Sequence, residues 1–227
     1  VNGTHYMLAA MKERVPNCRF YFAASSEMFG NATESPQNEN TSFHPRSAYG
    51  ISKVAGFHLT TNYRQAYDLY AVSGICFNHE SPRRGFEFVS RKITNSVAKI
   101  KLGLAKELVL GNLDAKRDWG YAGDYVKAMW LMLQQKEPDD YVIATGESHS
   151  VTELIETAFR CVELDWEKYI SIDERLYRPT EIYELKGNPA KAKNKLDWQP
   201  SVTFEHLIKM MVNSEIESLT RNSSRYS

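Results

Sequence analysis

The sequence predicts an α/β fold built on a parallel sheet. Two observations carry this expectation. Short apolar runs alternate with segments of helical period along the 227 residues, and the first two such runs flank one long helical segment. A strand–helix–strand unit of that kind implies two parallel strands joined by a right-handed crossover.

Taken in order, residues 1–4 read as a helix start, with Met7, Leu8 and Met11 at helical spacing behind it. Neither an initiator Met nor a glycine-rich loop precedes this helix, so the sequence reads as one entered partway through a domain. Residues 19–24 (RFYFAA) form an aromatic and apolar strand, followed by a polar, Pro-containing loop over 31–45. Residues 47–66 have helical spacing and 71–78 (AVSGICFN) read as a buried strand. The pattern then loosens. Residues 88–102 are helical, 107–110 a short strand, 125–135 helical, and 141–145 a strand closed by Gly146. A helix over 151–162 opens near Ser150 or Thr152. Asn188 and Pro189 open a short helix to residue 196, since Pro suits a first turn. A last helix spans 204–219, and the polar tail 221–227 reads as frayed. Beyond Gly85 the strands shorten and the connections lengthen, as in a smaller lobe laid over the end of the sheet.

Composition narrows the function. Lys plus Arg number 28 and Asp plus Glu number 28, for a formal net charge of zero. A nucleic-acid binder would carry a basic excess, so that class is disfavoured, whereas a small anionic ligand needs only a few placed cations. Cys18, Cys76 and Cys161 lie far apart and show neither metal nor disulfide spacing, so no metal site is expected. No run approaches the ~20 apolar residues of a membrane span. With no signal-peptide pattern at the start, a cytoplasmic location is expected.

Two features point to chemistry. Tyr49 and Lys53 are four apart on the helix that opens at Ser47, so they share a face. An ammonium beside a phenol favours the phenolate and pulls its pKa down from ~10, which makes a tyrosine usable as an acid or base near neutral pH. Alone, the pair is also compatible with a plain surface helix. The strand 19–24 ends in Ser25-Ser26-Glu27, and reacting groups in open α/β sheets lie at the carboxyl ends of strands. A hydroxyl there can bond a substrate oxygen, or merely cap a turn.

With these residues, the longer runs 25–30 (SSEMFG), 49–53 (YGISK), 77–85 (FNHESPRRG), 111–120 (GNLDAKRDWG), 143–147 (IATGE) and 177–181 (YRPTE) occur in order. Together they resemble the GDP-mannose 4,6-dehydratase family of extended short-chain dehydrogenase/reductases. The resemblance implies a Rossmann-like, doubly wound parallel sheet whose first strands are not in this sequence, with a smaller C-terminal α/β substrate-binding lobe. Residues 1–85 would be the remainder of the NADP-binding domain. Residues 86–220 would mainly bind the GDP-sugar, with 113–145 returning to the Rossmann core.

It further implies that GDP-mannose is converted to GDP-4-keto-6-deoxymannose by internal hydride transfer through NADP, which is required but not consumed. Tyr49 would deprotonate the sugar 4-hydroxyl, Lys53 would hold the nicotinamide ribose, Ser25 would orient the 4-oxygen, and Glu27 would remove the C5 proton. Glu27 separates this reading from a sugar-nucleotide epimerase or 4-ketoreductase, neither of which needs that base. Cofactor contacts would come from Tyr49, Lys53, His79 and Arg84. Asn78, Lys92, Gly111, Asn112, Arg117, Arg178 and Glu181 would hold the GDP-sugar. Arg83 and Arg84 lie in a loop that in the resembling family reaches a neighbouring subunit's cofactor, which implies a homotetramer or dimer.

This sequence departs from the family pattern at several places. Ser25 stands where Thr is usual, Phe29 where Tyr is, and Tyr121 where His is, and the segment around 166–170 is shorter. The family's glycine-rich pyrophosphate loop, which places phosphates on a helix N-terminus, is not in this sequence. An inactive fragment lacking the cofactor site is therefore the alternative from another class.

Overall fold

The computed structural model describes residues 1–177 and 184–223. Helix α1 (Asn2–Arg14) leads into strand β1 (Phe20–Ser25), a single 3-10 turn (Ser26–Met28), and then helix α2 (Ala48–Tyr67) and strand β2 (Ala71–Cys76). There follow β3 (Asn78–Glu80), α3 (Val89–Lys101), β4 (Leu108–Leu110), β5 (Lys116–Arg117), β6 (Trp119–Tyr121), α4 (Ala122–Met132) and β7 (Asp140–Ile143). The chain continues through β8 (His149–Ser150), α5 (Val151–Arg160), β9 (Ile170–Ile172), β10 (Glu184–Leu185), α6 (Ala190–Leu196) and α7 (Phe204–Ser223).

The main sheet has the order β1-β2-β7 and is parallel throughout, as the strand–helix–strand reading requires. β2 is buried along its whole length, as expected of a central strand covered on both faces. Register runs from Phe20 opposite Ala71 to Ser25 opposite Cys76, so β1 and β2 end level. Helix α2 packs on β1 at Gly56, where a Cβ would lie 2.3 Å from the Phe22 ring. At the amino end of the sheet, Arg64 of α2 forms a two-armed ion pair with Asp140 of β7, and Asp140 Oδ1 also accepts from the Ser73 amide. That pair ties helix, central strand and outer strand together.

The segment expected as one strand over 71–78 divides. Phe77 still donates its amide to the Ile143 carbonyl at 2.9 Å, after which the chain leaves the main sheet and β3 pairs in parallel with β6. The helix expected from 125 begins at Ala122, because Ala122, Gly123 and Asp124 carry no apolar signal ahead of Tyr125. Helix α7 runs on to Ser223, past the 219 that periodicity gave, and residues 224–227 lie outside the described residues.

A second core forms where α3, α5 and α7 meet, with Ile93, Val97, Leu154, Phe159, Ile208 and Val212 fully or almost fully buried. Helix α5 opens with a reciprocal cap between Ser150 and Glu153. The loop after β1 is fixed by Gly30, at φ +52, where a Cβ would stand 1.9 Å from the His44 carbonyl oxygen. Farther along the loop, Glu39 accepts from the Val142 amide of β7, satisfying a donor on the outer strand. Among the described residues no helix is long and apolar enough to cross a membrane.

Candidate active site

Ser25, Glu27, Tyr49 and Lys53 are brought together at the carboxyl end of β1. Ser25 is the strand's last residue, and its Oγ accepts from the Glu27 amide at 3.3 Å. That bond caps the 3-10 turn and turns Glu27 out of the strand direction. Ser47 caps α2 in the same way, accepting from the Gly50 amide at 3.0 Å. Gly50 is what lets the two pieces meet: a Cβ there would lie 2.7 Å from the Glu27 carbonyl oxygen. The first turn of α2 therefore packs directly on the turn that carries Glu27. Tyr49, one residue earlier, is 54% exposed, so its phenol remains accessible beside a largely buried frame. The Lys53 ammonium stands 5.5 Å from the Tyr49 ring centroid and donates to the Ala23 carbonyl at 2.7 Å. One of its three donors is thereby used, and the side chain is held across the strand end.

Beneath this cluster Cys76 lies opposite Ser25 in register. Burial pushes its thiol up to about 11, partly offset by a hydrogen bond with the Tyr21 hydroxyl and by the Lys53 charge. A buried thiol of that kind is a packing group, not a nucleophile.

Asn78 and His79 follow on β3, just past the end of β2. His79 Nδ1 lies 2.8 Å from the Phe77 carbonyl oxygen, and its ring stacks on Tyr125 at 5.0 Å between centroids. Burial lowers the His79 pKa; the Phe77 carbonyl opposes that shift and the Arg84 charge reinforces it. The ring is thus neutral at physiological pH, with Nδ1 donating to the carbonyl and Nε2 left as the acceptor. Tyr125 is fully buried, and its hydroxyl has no hydrogen-bond partner among the described residues.

The candidate sugar-nucleotide residues spread over the second lobe. Lys92 on α3 donates to the Val109 carbonyl of β4 at 2.7 Å. Gly111 follows β4, where a Cβ would lie 2.9 Å from the Leu176 carbonyl oxygen, so this backbone approaches the 174–176 turn closely. Asn112 Oδ1 accepts from the Asp114 amide at 2.9 Å. Arg117 on β5 lies between β10 and β8, paired in register with Leu185 and His149. Arg178 and Glu181 lie outside the described residues.

Nothing in the sequence sets Asp118 apart from the rest of the run 111–120. It is fully buried and accepts from the Thr145 amide and hydroxyl, the Gly146 amide and the Gly187 amide. Its carboxylate joins β6, the end of β7 and the segment before α6. Burial raises its pKa, and these hydrogen bonds pull the other way.

The sequence model of the family described as GDP-mannose 4,6 dehydratase matches residues 1–211. GDP-mannose 4,6 dehydratase 1 of Arabidopsis thaliana is 57% identical over 203 residues, covering 89% of this chain and 56% of that protein. The Homo sapiens GDP-mannose 4,6 dehydratase is 48% identical over 240 residues, covering 97% of this chain and 64% of that protein. The chain thus spans little more than half the length of these relatives. Among solved structures, RMD from Pseudomonas aeruginosa complexed with NADPH superposes with a TM-score of 0.88 at 25% identity, covering 96% of this chain and 73% of that one. The dTDP-glucose 4,6-dehydratase from Bacillus anthracis in complex with NAD gives 0.85 at 22% identity, covering 97% and 68%, a likeness of fold.

Proposed function

Since this chain belongs to the GDP-mannose 4,6-dehydratase family, we propose that it carries the catalytic and sugar-nucleotide-binding residues of an enzyme that dehydrates GDP-mannose to GDP-4-keto-6-deoxymannose. The observation that carries the reading is the convergence of Ser25, Glu27, Tyr49 and Lys53 at one strand end, with Gly50 packed on Glu27. Its relatives' names supply the substrate, and the NADPH of the Pseudomonas RMD complex supports NADP as the cofactor.

The donor set fits a nicotinamide ribose. Lys53 retains donors beyond the one given to Ala23, Tyr49 presents an accessible phenol, and His79 keeps one ring nitrogen clear of its bond to Phe77. In this reading Tyr49, Lys53, His79 and Arg84 hold NADP, which supplies a hydride acceptor at C4 of the sugar and a donor at C6. Tyr49 takes the proton from the 4-hydroxyl, and Ser25 Oγ orients that oxygen. The resulting 4-keto group acidifies the C5 hydrogen. Glu27 removes it and passes that proton to the C6 hydroxyl, which leaves as water, and C5 takes up a solvent-derived proton again when C6 is reduced.

Asn78, Lys92, Gly111, Asn112, Arg117, Arg178 and Glu181 are assigned to the GDP moiety and its sugar. Arg117 suits phosphate because guanidinium binds oxyanions through two parallel bonds. Residues 1–85, with 113–145 returning to them, form the cofactor half, and the remainder to 220 forms mainly the sugar-nucleotide half. The reading extends to a cytoplasmic homotetramer or dimer at the first step towards a GDP-deoxysugar such as GDP-fucose or GDP-rhamnose.

Product analysis tests it. The full-length protein, incubated with GDP-mannose and NADP, should yield a 4-keto-6-deoxy sugar nucleotide by NMR without net change in nicotinamide absorbance. An epimerised sugar, or a net accumulation of reduced cofactor, would contradict the assignment.

A further inference from the structure

Two buried carboxylates outside the candidate active site grip one segment from different sides. Residues 81–88 leave β3 directly after Glu80, one residue past His79, and enter α3. Glu80, the last residue of β3, is 1% exposed. Its carboxylate accepts from Ser90 Oγ at 2.5 Å and lies 3.2 Å from Arg84 Nε. The Arg84 guanidinium also covers the Phe88 ring at 3.6 Å, so this side chain folds back onto the segment that bears it. On the other side stands Glu215 of α7, 4% exposed. It accepts from Arg91 Nε and from Asn95 Nδ2, each at 2.7 Å. The other arm of Arg91 donates to the backbone carbonyl of Arg84 at 2.5 Å, and the Arg91 guanidinium covers the ring of Phe86 at 3.8 Å.

Arg84 is therefore held twice, by its side chain through Glu80 and by its backbone through Arg91 and Glu215. Buried ion pairs add little net stability, because desolvation offsets attraction; their best-attested use is to fix one geometry among several. A guanidinium suits this use, since its rigid fork reaches two acceptors at once.

We propose that Glu215 is a positioning residue for segment 81–88. Through Arg91 it fixes the Arg84 backbone while Glu80 fixes the Arg84 side chain, so that helix α7 sets the pose of the segment that follows His79. The clamp stands on these contacts alone. Its consequence for NADP rests on the function proposed above, in which His79 and Arg84 contact the cofactor.

The test uses the full-length protein carrying Glu215→Gln. Trypsin cleavage after Arg83 and Arg84, followed by mass spectrometry, should run ~10-fold faster than in the parent, because losing a charge-assisted bond frees local opening. The KM for NADP should rise by a similar factor, with kcat at saturating NADP unchanged. If Glu215→Gln does not fold, Arg91→Lys gives the same readouts, since lysine keeps the charge but cannot hold both acceptors. Unchanged cleavage overturns the clamp. Faster cleavage with an unchanged KM overturns its link to the cofactor. A parent protein that binds no NADP would count against the proposed function alone, because the proteolysis needs no ligand.

Discussion

Gly50 lies against Glu27 so closely that a Cβ on Gly50 would stand 2.7 Å from the Glu27 carbonyl oxygen. The atom in the way is backbone, so it cannot be rotated aside. The contact fixes how far the first turn of α2, with Tyr49, sits from the turn that carries the carboxylate.

Gly50→Ala should therefore separate the two turns. In the full-length protein, with the activity proposed above, kcat should fall ~10²-fold, the scale expected when reacting groups are displaced by about 1 Å. Circular dichroism should still report a folded protein. Full activity in a folded Gly50→Ala variant would mean that the spacing of Tyr49 and Glu27 is not used.

Asp118→Asn should destabilise the fold. The carboxylate accepts from four donors, whereas an asparagine amide offers one oxygen and turns an NH₂ towards the remaining N–H groups. Leaving buried donors unsatisfied costs about 2–4 kcal/mol here, which denaturant unfolding at neutral pH would measure. An unchanged unfolding midpoint would contradict the role of Asp118 as the joint between β6 and the end of β7.

His79 sets a pH dependence. Burial holds its pKa below the ordinary 6.5, so folding disfavours the imidazolium. The stability contributed by the neutral ring is fully present above pH 6.5 and is lost as pH falls through the lowered folded value. His79→Phe keeps a ring on Tyr125 that never charges. Its melting temperature should therefore fall less than the parent's between neutral pH and about pH 5. Parallel curves for the two proteins would contradict the assignment.

Much of this arrangement is legible in the sequence, and the limits are physical. β1, β2, α2, α3, α5 and α7 carry apolar spacing over a turn or more, and Tyr49 with Lys53 follows from helical geometry alone. β3, β5, β6, β8, β9 and β10 have two or three residues each, too short for a period, and exist because of partners far along the chain. β9, for example, pairs with β4, far earlier in the chain, rather than with any neighbour. The place of Glu27 is legible because it lies two residues past the end of β1. Glu215 is not, since Arg91 meets it across 124 residues of sequence, and a single acidic residue on a helix reads as solvated. Arg178 and Glu181, expected to contact the GDP moiety, lie outside the described residues.

The most direct test of the account falls on Glu27, because the C5 base decides the reaction class. In deuterated water the parent's product should carry solvent deuterium at C5. Glu27→Gln should still oxidise C4, which uses Tyr49 and Lys53, and should then stall before water leaves. Its C5 exchange and overall turnover should be slower by ~10²–10⁴-fold, as for the loss of a positioned general base. Unchanged exchange together with unchanged turnover in Glu27→Gln would contradict the assignment and favour an epimerase or a reductase.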